Sequence, residues 1–102
     1  MMVITILEGN VPSGQEHKLQ QAFRDASKNI PPQLKQSFLI HSAAQPNVWK
    51  IITVWKDRQS LEQMRSTTEV PAGILMFRSA GTEPSLSILD VEEYIHNTSL
   101  SL

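Results

Sequence analysis

Cysteine is absent from the 102 residues of this chain. Its absence excludes a disulfide framework, a thiolate nucleophile and any cysteine-held metal or iron–sulfur centre. Neither sign of charge is in excess: 9 basic and 10 acidic side chains leave a formal net charge of −1. That balance carries no electrostatic footprint for nucleic acid or an anionic membrane, so neither is expected as a partner. No stretch reaches the ~18–20 uninterrupted apolar residues of a membrane span. The opening MMVITILEG lacks a basic n-region and a small-residue cleavage site, and a cytoplasmic protein is the expectation. Histidine is scarce too. His17, His41 and His96 have no metal-ligand spacing and no carboxylate at i+3 or i+4 on a shared element, so a metal site is not expected.

What is present reads as one domain over residues 1–102, with a polar, serine-rich tail from about residue 97. MVITILE, residues 2–8, is β-branched and aliphatic and predicts a strand. Ser13-Gly14-Gln15-Glu16 fits a capping box with Ser13 as the cap. The helix that follows presents Leu19, Ala22, Phe23, Ala26 and Ile30 as one apolar stripe until Pro31-Pro32 stops it. QSFLIHS, residues 36–42, predicts a second strand and VWKIITVW, residues 48–55, a third, joined as a hairpin by Ala43–Asn47. Asp57 caps a helix to about Thr68, and Pro71–Ser79 forms a second helical segment opened by Pro71. LSILDV, residues 86–91, is the last strand. The order β-α-β-β-α-β predicts an α+β, ferredoxin-like domain: a four-stranded antiparallel sheet with its helices on one face.

Strand alternation then poses a difficulty. Val3 and Leu7 oppose Ile4 and Ile6, Leu39 and His41 oppose Phe38 and Ile40, and Trp49, Ile51 and Trp55 oppose Val48, Ile52 and Val54. Leu86 and Ile88 likewise oppose Leu89 and Val91. Both faces are apolar, yet short helices cover only one. An open face of that kind exceeds the roughly 300–600 Å² apolar patch a monomer tolerates, so a homodimer packed sheet to sheet is expected.

On these residues the chain resembles the antibiotic-biosynthesis monooxygenase-like domains, whose ferredoxin-like protomers form dimeric α+β barrels. VWKIITVWKDRQSLEQMR is similar to their strand, aromatic, charged turn and helix. VITILEG running into VPSGQEHKLQQAF looks like their P-G-x-E-x-x-F turn and helix start. The resemblance covers about residues 2–94. It implies oxygenation of an aromatic or polyketide-like substrate without metal, flavin or haem, or haem cleavage in a related branch, or no known activity. Trp55 matches the family's strand-end tryptophan. Leu7 and Arg65 stand where the haem-degrading branch has asparagine and histidine, which argues against haem degradation. Ile51 stands where the polyketide-oxidising branch has an asparagine, a departure from that chemistry's pattern.

The candidate site residues each have two readings. Trp49 and Trp55 share a face and form either a wall for an aromatic ligand or packing, since each buries about 200 Å². Packing is favoured for both, with Trp55 the better placed for a ligand. His41, at the end of the second strand, is the acid–base candidate, or else a surface spectator. Arg78 is a fork donor for a carboxylate, phenolate or enolate, or else a solvated surface cation. Met64 and Phe77 complete the expected ligand lining. Glu92-Glu93 is read as solvated acidic surface, and Asn97-Thr98-Ser99 as a glycosylation acceptor without meaning in the absence of a secretory signal. The serines have no nucleophile-elbow context. Two functions follow as expectations: a cofactor-independent monooxygenase, or a non-catalytic ligand-binding or structural dimer.

Overall fold

The structure, a computed structural model, describes residues 1–97. The rest of the tail, with Thr98 and Ser99 of the Asn97-Thr98-Ser99 acceptor, falls outside the described residues. The elements are β1 (Val3–Asn10), α1 (Glu16–Ala26), β2 (Leu34–His41), β3 (Val48–Trp55), α2 (Arg58–Thr67), α3 (Ala72–Ser79) and β4 (Ser85–Asp90). The four strands form one antiparallel sheet in the order β2-β3-β1-β4, the ferredoxin-like arrangement.

Alternation assigns the faces. Val3, Thr5 and Leu7 of β1 and Trp49, Ile51, Thr53 and Trp55 of β3 are buried, while the residues between them are more exposed. The helices cover this inner face through two hydrophobic clusters. One joins Leu7, Val11, Leu19, Trp49, Ile51, Phe77 and Ala80. The other joins Val3, Trp55 and Leu61, with Leu34, Met64 and Ile88 packed against it. Gly9 lets α3 sit close to β1: a Cβ there would stand 2.8 Å from the Phe77 ring, which is fully buried.

The outer face stays apolar and open. Phe38, Ile40 and Leu89 are 47%, 43% and 47% exposed, and Ile4, Ile6, Ile52 and Val54 are half-buried. One cross-strand ion pair, Lys50 Nζ to Glu8 Oε1 at 3.3 Å, marks the polar end of this face.

Three local expectations are corrected. Ser13 does not cap α1. Gly14 adopts φ +89° and the Gln15 N–H bonds the Pro12 carbonyl at 3.0 Å, closing a turn of type II character that needs the left-handed residue. Helical geometry cannot begin there, so α1 starts at Glu16, whose Oε2 accepts from the Gly14 N–H at 2.9 Å. At its other end α1 stops at Ala26. Lys28 and Asn29 bond the carbonyls three residues back, and the residue before Pro31 is sterically driven out of the helical region. Ile30 consequently leaves the apolar stripe and is 56% exposed. Pro71 lies just before α3 with ψ 144°, its carbonyl accepting from the Ile74 and Leu75 N–H groups.

Candidate functional site

Between the two clusters the inner face is not filled. A cavity of about 380 Å³ lies there, bounded by the end of α1 and the segment after it, the start of β2, α2 and the first turn of α3. That volume falls within the roughly 300–1,000 Å³ of small-molecule sites. Leu7 and Ile51 border it from one cluster, Trp55 and Leu61 from the other, and Phe23, Met64 and Ile74 form its helical wall.

The floor carries a few polar atoms set among these apolar groups. Trp55 Nε1 donates to Thr5 Oγ1 at 3.0 Å, and Ser37 Oγ and Thr53 Oγ1 share a hydrogen bond of 2.9 Å. Thr5 accepts from the indole and keeps its own O–H, while the Ser37–Thr53 pair uses one of its two hydroxyl protons. These bonds leave two hydroxyl protons uncommitted on residues that line the cavity, enough to orient an oxygen-bearing ligand. The signal for them was legible: Thr5 and Thr53 interrupt apolar strands on the helix-facing side, where alternation expects aliphatic residues. Sequence reasoning passed over them, and Ser37 as well.

The expected site residues separate. Trp55 and Met64 line the cavity together. His41 does not; it pairs with Trp49 across β2 and β3, with ring centroids 4.6 Å apart and planes at 57°. Six residues of strand separate Trp49 from Trp55, about 20 Å at ~3.3 Å per residue. The two tryptophans share a face without forming one wall, and His41 is out of reach of a ligand on Trp55. Trp49 is core: buried, with its Nε1 lacking a hydrogen-bond partner. Phe77 is core as well, pressed against Gly9 outside the cavity. Arg78 sits on the exposed side of α3 and grips Glu83 as a fork, Nε to Oε2 at 2.8 Å and Nη2 to Oε1 at 2.9 Å. Those bonds hold the Glu83 carboxyl below its ordinary value and raise the guanidinium further. Arg78 is thus already paired and faces away from the chamber.

Among the cavity's lining residues none is Asp, Glu or His; the charged ones are Lys35 and Arg65. Among the described residues no three His, Asp or Glu side chains gather to hold a metal ion, and no helix is long and apolar enough to cross a membrane.

The profile of the antibiotic biosynthesis monooxygenase family matches residues 2–74. Among solved structures, SnoaB from Streptomyces nogalater, a cofactor-independent oxygenase, superposes with a TM-score of 0.69 at 12% identity, covering 94% of this chain and 98% of its own. Rv0793 from Mycobacterium tuberculosis gives 0.69 at 12%, covering 94% and 100%. An MhuD mutant with two manganese protoporphyrin IX bound per active site gives 0.69 at 16%, covering 93% and 99%. Identities this low speak for the fold alone. A search of curated proteins found no match in sequence.

Proposed function

This chain belongs to the antibiotic biosynthesis monooxygenase family, and from that premise we propose that it oxygenates a small aromatic or polyketide-like substrate held in the cavity beside Trp55, without metal, flavin or haem. The observation that carries the reading is the cavity itself: about 380 Å³, walled by apolar side chains, with the hydroxyl residues Thr5, Ser37 and Thr53 in its lining.

An easily ionised anthrone-type carbon acid suits such a chamber. Loss of its proton gives an enolate, whose oxygen the Thr5 and Ser37–Thr53 hydroxyls would stabilise as donors aimed at developing charge. The enolate passes an electron to O₂, the resulting radicals combine at carbon, and the hydroperoxide collapses to a ketone. One oxygen atom enters the substrate and the other leaves as water, with both hydrogens and all the electrons coming from the substrate. No external reductant is needed. The protein's part is to orient the ring system and exclude bulk water.

A second reading is supported by a specific observation: among the described residues, no carboxylate or imidazole lines the cavity. With His41 about 20 Å away along the strand, the enzyme would rely on substrate that ionises in solvent, whereas a non-catalytic ligand-binding protein needs no base. Either activity belongs, in our reading, to a cytoplasmic homodimer joined through the outer sheet face, where Phe38, Ile40 and Leu89 are exposed.

Oxygen uptake with anthrone decides between the two. The oxygenase reading expects one O₂ consumed per quinone formed, at a rate well above buffer and strongly reduced in Trp55→Ala. A rate equal to buffer, together with anaerobic quenching of tryptophan emission by the same compound, rejects the oxygenase and retains the binding protein.

A further inference from the structure

The charges around the cavity are one-sided. The whole chain is slightly acidic, with 10 acidic against 9 basic side chains. Yet both charged residues that line the cavity among those described, Lys35 and Arg65, are cationic. Each is exposed, so each stands where the chamber meets solvent. They come from different elements, Lys35 from β2 and Arg65 from α2.

Backbone irregularity places the lysine. Leu34 pairs with Trp55 and Gln36 with Val54, so the β2–β3 register slips by one and Lys35 has no partner residue on β3. One extra residue reverses strand parity. Leu34 is thereby returned to the inner side, against Val3, Trp55 and Leu61, although Ser37 already points inward. Bulges of this kind re-aim side chains at sheet edges, and β2 is an edge strand. Lys35 has no acidic partner among the described residues. Arg65 has only a long contact, Nη1 to Glu62 Oε1 at 3.8 Å, one turn away on α2, and Glu62 does not line the cavity.

We propose that the cavity's ligand is an organic monoanion: an apolar, ring-containing body in the chamber, with a carboxylate, sulfonate or enolate oxygen at the mouth between Lys35 and Arg65. This rests on the reading of the cavity as a ligand site and adds the charge of the ligand to it. An apolar wall supplies affinity without preference for charge. Two cations at the rim, with no carboxylate among the described lining residues, supply the preference for an anion and a salt-sensitive capture of it. Arg78, the sequence's own choice of anion partner, is occupied by Glu83.

A matched pair of dyes separates the two levels of the argument. 8-Anilinonaphthalene-1-sulfonate and N-phenyl-1-naphthylamine share one aromatic body and differ by the sulfonate. The expected result is tighter binding of the sulfonate at low salt, lost progressively as salt rises. Lys35→Gln and Arg65→Gln should each weaken the sulfonate about threefold, and the double variant about tenfold, with the neutral dye unchanged; these are the sizes expected of exposed charge pairs. Ala26→Trp, which fills the chamber from α1, should abolish both. Equal affinity for the two dyes, or glutamine variants that leave their ratio intact, overturns the anion and leaves the ligand cavity standing. Binding of neither dye, or binding that survives Ala26→Trp, overturns the cavity reading and the anion with it.

Discussion

Trp55 Nε1 donates its hydrogen bond to Thr5 Oγ1 at 3.0 Å, from the end of β3 to the middle of β1, and both residues are buried. The bond fixes an indole that would otherwise be free to turn about its side-chain torsions, so its face is presented to the cavity at a set angle. It also satisfies a donor that burial would leave stranded.

Thr5→Val keeps the shape and removes the acceptor. The orphaned indole N–H should lower stability by about 1–3 kcal/mol, measured as a fall in the urea midpoint, with Thr5→Ser recovering most of it. Trp49 supplies the control, because its Nε1 already lacks a partner. Trp49→Phe should therefore lose less stability than Trp55→Phe. Equal losses would mean that the Thr5 bond contributes nothing.

Gly73 and Leu7 both line the cavity, and a Cβ at Gly73 would come 2.5 Å from Leu7 Cδ1. The obstacle is the tip of a flexible side chain with empty space beside it. Gly73→Ala should thus be tolerated, because the better helix propensity of alanine, about 1 kcal/mol, offsets the displacement of Leu7. The displaced methyl occupies ligand space. Unfolding midpoints close to wild type with several-fold weaker dye binding would confirm this; unchanged binding would place the ligand elsewhere.

Asp57 caps α2, accepting from the Ser60 N–H at 2.7 Å. Bonds from the Ser60 hydroxyl and backbone, aided by the Lys56 charge, hold its carboxyl below the ordinary 3.8. A carboxyl depressed in the folded state contributes its stability in full above the unfolded value and loses it as pH falls through the folded one. Asp57→Asn retains a capping oxygen but cannot titrate. The gap in urea midpoint between wild type and Asp57→Asn should be constant near neutrality and narrow below about pH 4. A gap unchanged down to about pH 2 would contradict the assignment.

Phe38 and Ile40 are the most exposed large side chains of the outer face on the edge strand β2. If that face joins two copies, Phe38→Glu with Ile40→Lys should convert a dimer to a soluble monomer in analytical ultracentrifugation while leaving the far-ultraviolet circular dichroism intact. A wild-type chain that sediments as a monomer at micromolar concentration would refute the interface directly.

Strand order, face assignment and the double-sided apolar sheet were written in the sequence, because alternation along a strand is a local property and each strand is long enough to display it. The Asp57 cap and the third strand, Val48–Trp55, were legible for the same reason. The start of α1 was not, since a capping-box pattern and a glycine-dependent turn compete for the same four residues and only the backbone dihedral of Gly14 decides between them. Site membership was least legible of all. Trp49 and Trp55 are equivalent by pattern and each is packed in a cluster, yet only Trp55 also borders the cavity, because the helices leave the inner face between the two clusters unfilled. Which side chains meet is set by how elements far apart in the chain are stacked, and that is a property of the tertiary structure alone.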